Sequence, residues 1–406
     1  MLDAKTIQII QSTIPVLETE GVKITRHFYE TMFHDHPELL NIFNHANQKQ
    51  GRQQTALANA VYAAAQHIDR LDEIIPVVKQ IAHKHRSLGV LPEHYPIVGR
   101  YLLAAIRDVL GDAATPDILE AWGRAYEVIA EAFIGIEQEM YAQAEHQWGG
   151  WSGFQPFVVQ RKEQESAVIT SFYLVPQSGG TLASFEPGQY VSVKVHIPGD
   201  EFEQIRQYSL SAGSQHDYYR ISVRRADGNE AYPAGKVSMY LHQQVQQGDV
   251  LWLSAPAGDF ALQRQQQRPI VLLSGGVGLT PITSMLHALL EQPLQQPVVF
   301  IHATHDGEHH ALREEIAQLE QREPLLSVYY CYTAPSQQDR AEQLFHREGY
   351  MEMEWLQRIL PHPAEAEFYF CGPFGFMKAV HHILEQWDVP IEHRHYEYFG
   401  PAVALV

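Results

Sequence analysis

Apolar side chains recur at steps of three and four residues through roughly the first 147 positions of the chain. One helical face is predicted from Leu119, Trp122, Tyr126, Ile129, Phe133, Ile136 and Met140. Two earlier stripes have the same spacing: Ile74, Val78, Ile81 and His85, then Leu102, Leu103, Ile106, Val109 and Leu110. Such spacing places the apolar residues on one side of a helix. The pattern predicts an all-α domain over residues 1–147.

The period of the pattern changes after Gly149-Gly150-Trp151. Short segments rich in β-branched and aromatic residues follow, and turn-forming pairs such as Pro187-Gly188 and Asp227-Gly228 separate them. These segments are Phe157–Arg161, Ala167–Val175, Tyr190–His196 and Tyr219–Arg224. Closely spaced strands with glycine and proline turns are typical of a small antiparallel barrel. The pattern predicts an antiparallel β-barrel domain over residues 151–264.

Over residues 268–406, apolar strand-like runs alternate with helical segments. The runs are Pro269–Leu273, Val298–Ala303, Ser327–Tyr332 and Glu367–Cys371. The helical segments are Pro281–Leu290, Ala311–Gln321 and Phe374–Gln386. This alternation predicts an α/β domain with a parallel sheet covered on both faces. The expected fold class is therefore multidomain, with three architectures in one chain.

Composition narrows the expected partners. With 48 acidic and 29 basic residues the net charge is −19, which repels phosphate backbones and anionic lipid, so we expect no nucleic acid partner. No apolar run approaches the roughly 18 residues of a membrane span, and the N-terminus lacks the features of a signal peptide. The two cysteines make no disulfide framework. We expect a cytoplasmic monomer without stable membrane insertion.

The tetrapeptide Arg206-Gln207-Tyr208-Ser209 carries groups that suit a flavin. Strand alternation sends Arg206 and Tyr208 to one face, where they could contact phosphate oxygens and stack on the isoalloxazine. Ser209 could bond the polar edge of the ring. Downstream, Gly235–Ser238 precedes a predicted helix and could bind the pyrophosphate through its amides. Taken alone, such a tetrapeptide is more often an ordinary strand.

A glycine-rich turn, Gly275-Gly276-Val277-Gly278-Leu279-Thr280-Pro281, lies between a predicted strand and a predicted helix. Glycine lets the backbone approach a pyrophosphate, and a helix N-terminus favours its negative charge. Such a turn can also be a simple strand–helix connection. Cys371-Gly372-Pro373 ends a later strand on the same side of the sheet, where ligands of parallel sheets bind.

In order and spacing, Pro187-Gly188-Gln189-Tyr190 and these motifs resemble the ferredoxin–NADP reductase superfamily over residues 151–406. The resemblance implies that Phe399 lies close to the flavin. The implied FAD-binding residues are Tyr190, Arg206, Gln207, Tyr208, Ser209, Tyr398, Phe399, Gly400 and Pro401. The implied NAD(P)-binding residues are Gly276, Val277, Gly278, Leu279, Thr280, Pro281, Cys371, Gly372 and Pro373.

Nearly end to end, the chain resembles the flavohaemoglobin family, in which a globin precedes such a reductase. The segments Asn41-Ile42-Phe43-Asn44 and Ala82-His83-Lys84-His85-Arg86-Ser87 carry much of the match. The resemblance implies haem b with His85 as the iron ligand, and Phe43, Gln53 and Leu57 in the haem pocket. It also implies catalytic roles for Tyr29, Tyr95 and Glu137, and tuning of redox potential by Lys84 and Glu397.

The positions of these residues agree with those roles but leave alternatives open. Gln53, Leu57 and Val61 share a helix face at four-residue steps, which gives one polar group on an apolar wall. His85 faces inward on its stripe, yet an inward histidine is more often a satisfied core residue. Tyr29 and Tyr95 could be core aromatics, and Glu137 could be an exposed helix charge. Eight histidines of the last domain could form a metal site, but no carboxylate–histidine spacing supports one, and we expect them to be surface residues: His302, His305, His309, His310, His381, His382, His393 and His395.

The resemblance implies nitric oxide dioxygenation, in which nitric oxide and oxygen give nitrate with electrons from NAD(P)H through FAD. The alternatives are an NAD(P)H-dependent reductase whose globin senses oxygen or nitric oxide, and a haem protein that only binds these gases. Two residues depart from the family pattern. Leu279 stands where glutamine is common, and Tyr398 stands where a smaller residue is usual. The choice between NADH and NADPH therefore stays open.

Overall fold

The computed structural model describes residues 2–43, 48, 50–229, 233–263, 268–360 and 362–400. The described residues form two compact units. One contains the chain up to Phe154 together with Ser192–Arg206, and the other contains residues 155–191 and the described residues after Arg206.

The first part of the chain is all helix. Its α-helices are Ala4–Ser12 (α1), Ile14–Asp35 (α2), Arg52–Gln66 (α3), Ile75–Leu88 (α4), His94–Leu110 (α5) and Pro116–His146 (α6). Short 3-10 helices lie at Pro37–Asn41, Leu71–Ile74 and Gly111–Ala113. The apolar faces of α1, α2, α5 and α6 pack into one core that includes Phe28, Met32, Ile106 and Trp122. The predicted stripes lie on α4, α5 and α6, except that Ile74 belongs to the 3-10 helix before α4.

Local sequence fixes where the two helices of greatest interest begin and end. The side chain of Thr115 accepts a hydrogen bond from the backbone of Ile118, and Pro116 follows in the first turn of α6. Gly89 ends α4 with φ near +81°, a conformation that glycine adopts without strain. Helix α4 therefore ends at Leu88, three residues after His85.

A six-stranded sheet follows. Its strands are Phe154–Gln164 (β1), Ile169–Pro176 (β2), Tyr190–Val195 (β3), Gln204–Ser209 (β4), Tyr219–Arg224 (β5) and Val250–Ser254 (β6). They lie in the order β4-β3-β6-β1-β2-β5, with antiparallel pairing of β1 with β2 and of β2 with β5. Helix α7 (Lys236–Gln243) precedes β6. Strand β6 is absent from the sequence-based prediction, although its exposed and buried residues alternate.

The last part contains a parallel sheet in the order β10-β9-β8-β7-β11-β12. Its strands are Ile270–Gly275 (β7), Val298–Thr304 (β8), Leu326–Tyr332 (β9), Arg347–Glu348 (β10), Glu367–Cys371 (β11) and Arg394–Glu397 (β12). The helices are Leu279–Leu289 (α8), Arg313–Arg322 (α9), Gln337–Ala341 (α10), Met353–Ile359 (α11) and Phe374–Gln386 (α12). Short 3-10 helices lie at Gly276–Gly278, Gly307–His309, Pro363–Glu365 and Ile391–His393. The predicted order of all-α, antiparallel and parallel architectures is confirmed.

Candidate active site

His85, Tyr95 and Glu137 come together from helices α4, α5 and α6. The Nδ1 atom of His85 lies 2.7 Å from Oε1 of Glu137, and the Tyr95 hydroxyl donates to the same oxygen at 2.7 Å. Glu137 is only 2% exposed, so the reading of it as an exposed helix charge is wrong. Because a carboxylate accepts, Nδ1 of His85 is the protonated nitrogen and Nε2 is the atom suited to a metal.

Tyr95 is fixed from both ends. The hydroxyl of Tyr126 donates to the backbone oxygen of Tyr95 at 2.6 Å, while the Tyr95 hydroxyl bonds Glu137. The Tyr126 ring fits there because residue 99 is glycine, where a Cβ would lie 2.4 Å from that ring. Burial, followed by the hydrogen bond to Glu137, raises the pKa of Tyr95 well above its usual range. Its hydroxyl therefore stays protonated and acts as a donor. The sequence analysis missed this contribution of Gly99 and Tyr126.

Tyr29 lies in an aromatic and largely dry environment. It is 6% exposed, and its ring lies 5.6 Å from that of Phe33 and 5.8 Å from that of Phe43. Burial raises the pKa of Tyr29, and a side-chain hydrogen bond with Gln53 opposes that rise. The Oε1 atom of Gln53 is buried and has no hydrogen-bond partner among the residues described. Leu57, from the same helix as Gln53, packs against the same core.

These residues fit a haem with a small polar ligand. A buried amide oxygen without a partner is costly unless a ligand or water meets it. A neutral phenol beside that amide can donate a hydrogen bond to a bound diatomic molecule. His85 would hold the haem iron through the imidazole nitrogen that is not hydrogen-bonded to Glu137.

The flavin motif lies on strand β4. Arg206, Gln207 and Tyr208 are half-buried, whereas Ser209 is 5% exposed. The Oγ atom of Ser209 is buried without a hydrogen-bond partner in the part of the chain that the structure describes. That unsatisfied hydroxyl fits the polar edge of a flavin. Tyr190 is buried, and its backbone pairs with that of Ala257.

The C-terminal residues assigned to the flavin differ in exposure. Phe399 is 43% exposed, which leaves its ring accessible to a ligand. The Tyr398 ring makes an edge contact with the Phe374 ring, with 6.0 Å between the ring centroids, and a Cβ at position 400 would lie 2.7 Å from the Tyr398 ring. Glu397 pairs in register with Cys371, and Lys84 is exposed. Pro401 lies outside the described residues.

The glycine turn and Cys371-Gly372-Pro373 meet at the carboxyl ends of two neighbouring strands. Ser274 of β7 pairs in register with Cys371 of β11. A Cβ on Gly278 would lie 2.1 Å from the backbone oxygen of Cys371, so only glycine permits this approach. Pro373 caps α12, and α8 begins at Leu279, which is buried together with Thr280. Two helix N-termini therefore lie where a dinucleotide binds in such sheets.

We expect Gly278→Ala to weaken nicotinamide nucleotide binding by about tenfold or more, because a methyl group 2.1 Å from a carbonyl must displace the turn. Equilibrium titration of the purified variant with NADH and NADPH measures the effect. Gly135→Ala is the matched control, since that helical position has open space and should tolerate the methyl group. Wild-type affinity in Gly278→Ala would show that the close approach is unimportant.

The prediction that the eight late histidines are surface residues is wrong for three of them. His302, His310 and His381 are 1%, 4% and 8% exposed. His302 bonds Ser274 and His310 bonds Tyr332, and burial lowers the pKa of His302 to about 3. Within the described ranges, no group of three or more His, Cys, Asp or Glu could hold a metal ion. These three histidines are therefore buried residues of the parallel-sheet part of the chain.

Three family descriptions match successive parts of the chain. They are globin over residues 26–133, oxidoreductase FAD-binding domain over 156–262 and oxidoreductase NAD-binding domain over 272–382. A flavohemoprotein of Halalkalibacterium halodurans is 53% identical over 404 residues, covering 100% of this chain and 98% of the relative. A flavohemoprotein of Bacillus thuringiensis is 55% identical over 405 residues, covering 100% of both. The chain belongs to the flavohaemoprotein family.

The fold of this flavohaemoprotein is also similar to that of a solved structure. A Malassezia yamatoensis flavohemoglobin crystallised with bound FAD and heme matches with a TM-score of 0.85 at 28% identity, covering 98% of this chain and 100% of that chain. As a flavohaemoprotein, this chain is an oxidoreductase whose cofactors are haem, FAD and a nicotinamide nucleotide. No helix among the residues described is long and apolar enough to cross a membrane.

Proposed function

We propose that this flavohaemoprotein is a nitric oxide dioxygenase that converts nitric oxide and oxygen to nitrate with electrons from NADH or NADPH. The observation that carries the proposal is the shared carboxylate oxygen of Glu137, which engages both His85 and Tyr95. A buried carboxylate on a ligating imidazole increases its basicity and favours oxygen activation over simple storage. A related FAD/NAD-binding domain, from a Vibrio cholerae nitric oxide dioxygenase, supports the proposal at 38% identity and a TM-score of 0.55.

When bound, haem supplies the iron centre for oxygen chemistry, and FAD divides the two electrons of a hydride into single-electron transfers. His85 would hold the iron through Nε2, and Glu137 fixes the tautomer of His85 by accepting from Nδ1. Tyr95 donates to the same carboxylate and orients it. Tyr29 remains a neutral donor because burial raises its pKa. The rings of Phe33 and Phe43 pack beside the ring of Tyr29, which is 6% exposed.

The remaining roles follow from the reductase part of the chain. Arg206 would bind the FAD pyrophosphate, and Ser209, whose hydroxyl has no partner among the described residues, would bind the polar edge of the flavin. Gly278 lets the nucleotide turn approach Cys371-Gly372-Pro373, and the two segments together would bind the nicotinamide nucleotide. Lys84 and Glu397 would tune the two redox potentials through their charges.

The decisive experiment compares nitric oxide consumption with and without oxygen in the presence of NADH or NADPH. We expect rapid consumption only under aerobic conditions, with one nitrate formed for each nitric oxide consumed. If oxygen does not accelerate consumption, the protein is instead a flavin reductase or a gas sensor. An absorption spectrum of the same sample verifies that haem and FAD are both bound.

We expect Glu137→Gln to lower nitric oxide dioxygenation by about 10- to 100-fold with little loss of haem, because a neutral amide accepts less strongly from His85. Turnover and haem content are measured on one preparation. The iron–histidine stretching frequency, from resonance Raman spectra of the reduced protein, should also decrease. Glu139→Gln is the control, since Glu139 is an exposed residue of the same helix. An unchanged frequency in Glu137→Gln would contradict the proposed role.

A further inference from the structure

Helix α8, which begins directly after the glycine turn, is fastened to the segment that follows flavin strand β4. The Ser284 hydroxyl donates to the backbone oxygen of Ala212 at 3.0 Å. Seven residues further, just beyond the end of α8, Glu291 accepts a hydrogen bond from the Ser214 hydroxyl at 3.2 Å. Between them, a Cβ on Gly213 would lie 3.2 Å from the Cβ of His287, so the backbone lies directly against the helix. We refer to residues 211–214 with 284–291 as the seam.

A buried ion pair lies at one end of the seam. The guanidinium of Arg220, from strand β5, contacts both carboxylate oxygens of Glu315 at 2.6 and 2.8 Å. His287 of α8 lies 2.5 Å from the Oε1 atom of Glu315. Arg220 also donates to the hydroxyl of Ser211 at 3.1 Å. Its side chain is only 4% exposed, and the Glu315 side chain is 29% exposed.

Hydrogen bonds from Arg220 and His287 keep the Glu315 carboxylate ionised. Burial alone would raise the pKa of Glu315, but hydrogen bonds from Arg220 and His287 outweigh it and lower that pKa to about 2. Glu315 is therefore ionised at neutral pH. A fork of two parallel hydrogen bonds restricts both distance and angle, which a single contact does not. The pair thus joins β5 of the barrel to α9 and α8 of the parallel-sheet part in one geometry.

Each of the two segments that form the seam follows a cofactor motif closely in sequence. Ser211 lies two residues after Ser209, the last residue of the flavin motif, and its backbone amide donates to the oxygen of Arg220 at 2.8 Å. On the other side, α8 begins at Leu279, directly after Gly278 of the nucleotide turn. A shift of α8 along the seam would therefore move the nucleotide turn relative to the flavin strand.

We propose that Arg220 and Glu315 are positioning residues for hydride transfer, because through the seam they set the distance between the nicotinamide and the flavin. In that step the C4–H bond of the dihydronicotinamide breaks and an N5–H bond of the flavin forms, with both electrons moving in the hydride. The nicotinamide is oxidised and the flavin is reduced. The inference rests only on the oxidoreductase chemistry of the chain and does not depend on nitric oxide dioxygenation.

The test uses the full-length holoprotein and a variant that should fold. Removing one partner of a buried pair leaves an uncompensated charge, whereas replacing both with apolar residues is often neutral for stability. We therefore choose the double variant Arg220→Met/Glu315→Met, with Glu315→Asp and Ser284→Ala as milder changes. The control is Glu354→Met/Arg358→Met, which removes an exposed ion pair on α11.

Flavin reduction is followed anaerobically after mixing with saturating NADH, and in parallel with NADPH. We expect the double variant to reduce its flavin about 10- to 100-fold more slowly, because misplacement of reacting groups by about 1 Å has effects of that size. Its FAD content, thermal midpoint and nucleotide affinity should stay close to wild type. The long-wavelength charge-transfer absorption between reduced flavin and NAD⁺ should weaken, because it depends on stacking of the two rings.

Glu315→Asp should show a smaller loss than the double variant, and Ser284→Ala about a two- to fivefold loss. A folded double variant with a wild-type reduction rate and charge-transfer band would overturn the proposal. If the double variant does not fold, a wild-type rate and band in both milder variants would overturn it. Because neither oxygen nor nitric oxide is present, these results are independent of the reaction at haem.

Discussion

Replacing His85 with alanine will give a protein that is yellow but not red. Its flavin spectrum and NADH- or NADPH-dependent ferricyanide reduction should stay within about twofold of wild type, while the haem absorption disappears. Nitric oxide consumption should fall to background, because His85 offers the imidazole that Glu137 and Tyr95 hold for a metal. Absorption spectra and nitric oxide electrode measurements on one preparation, supplied with haemin, check both expectations.

His83→Ala is the matched control for this variant. His83 lies two positions before His85 on α4, and a separation of two residues places side chains on different faces of a helix. The control should therefore bind haem and consume nitric oxide as wild type does. A His85→Ala protein with a wild-type haem spectrum and turnover would show that another residue is the ligand.

Replacing Tyr29 with phenylalanine should reduce aerobic nitric oxide consumption by about 10- to 100-fold, the effect of removing one preorganised donor from a dry site. The phenol is 6% exposed, and its raised pKa keeps it protonated over the working range of pH. Without it, oxygen should dissociate faster from the reduced protein. Stopped-flow measurement of oxygen dissociation and electrode measurement of turnover test the two effects separately.

Tyr101→Phe provides the comparison, because Tyr101 is another buried tyrosine of the helical unit and its hydroxyl donates to Asp35 at 2.6 Å. Loss of that bond should lower the free energy of unfolding slightly and leave oxygen dissociation unchanged. Equal oxygen dissociation rates in Tyr29→Phe and wild type would show that Tyr29 does not stabilise bound oxygen. The rate of flavin reduction should not differ among the three proteins.

Residue type and flanking turns were sufficient to predict β5, and alternation of apolar strand-like and helical segments was sufficient to predict α12. The predicted bounds of β5, Tyr219–Arg224, and of α12, Phe374–Gln386, agree with the structure. Strand β12, Arg394–Glu397, was not predicted, because none of its four residues is buried and its segment mixes basic and aromatic residues. Short edge strands carry little of the apolar alternation on which such predictions depend.

Side-chain chemistry that depends on distant segments could not be read from the sequence. Glu137 lies on the flank of its helical stripe, and only the approach of α4 and α5 buries it. His302 and His310 are buried beside Ser274 and Tyr332, which belong to strands β7 and β9 of the parallel sheet and are distant in sequence. Likewise, 95 residues separate Arg220 from Glu315, and no local pattern links them. Burial of charged groups is a property of the assembled fold.

Gly99 limits how the haem-side chemistry of this chain could be transplanted. An engineer who copies only His85, Tyr95 and Glu137 into another globin would leave the backbone of residue 95 untethered. The Tyr126 hydroxyl holds that backbone by donating to the oxygen of Tyr95. The Tyr126 ring fits only because Gly99, one helical turn after Tyr95 on α5, has no side chain. The smallest transferable set is therefore five positions on three helices: His85, Tyr95, Gly99, Tyr126 and Glu137. A host globin with alanine at the position of Gly99 would first need that alanine replaced by glycine.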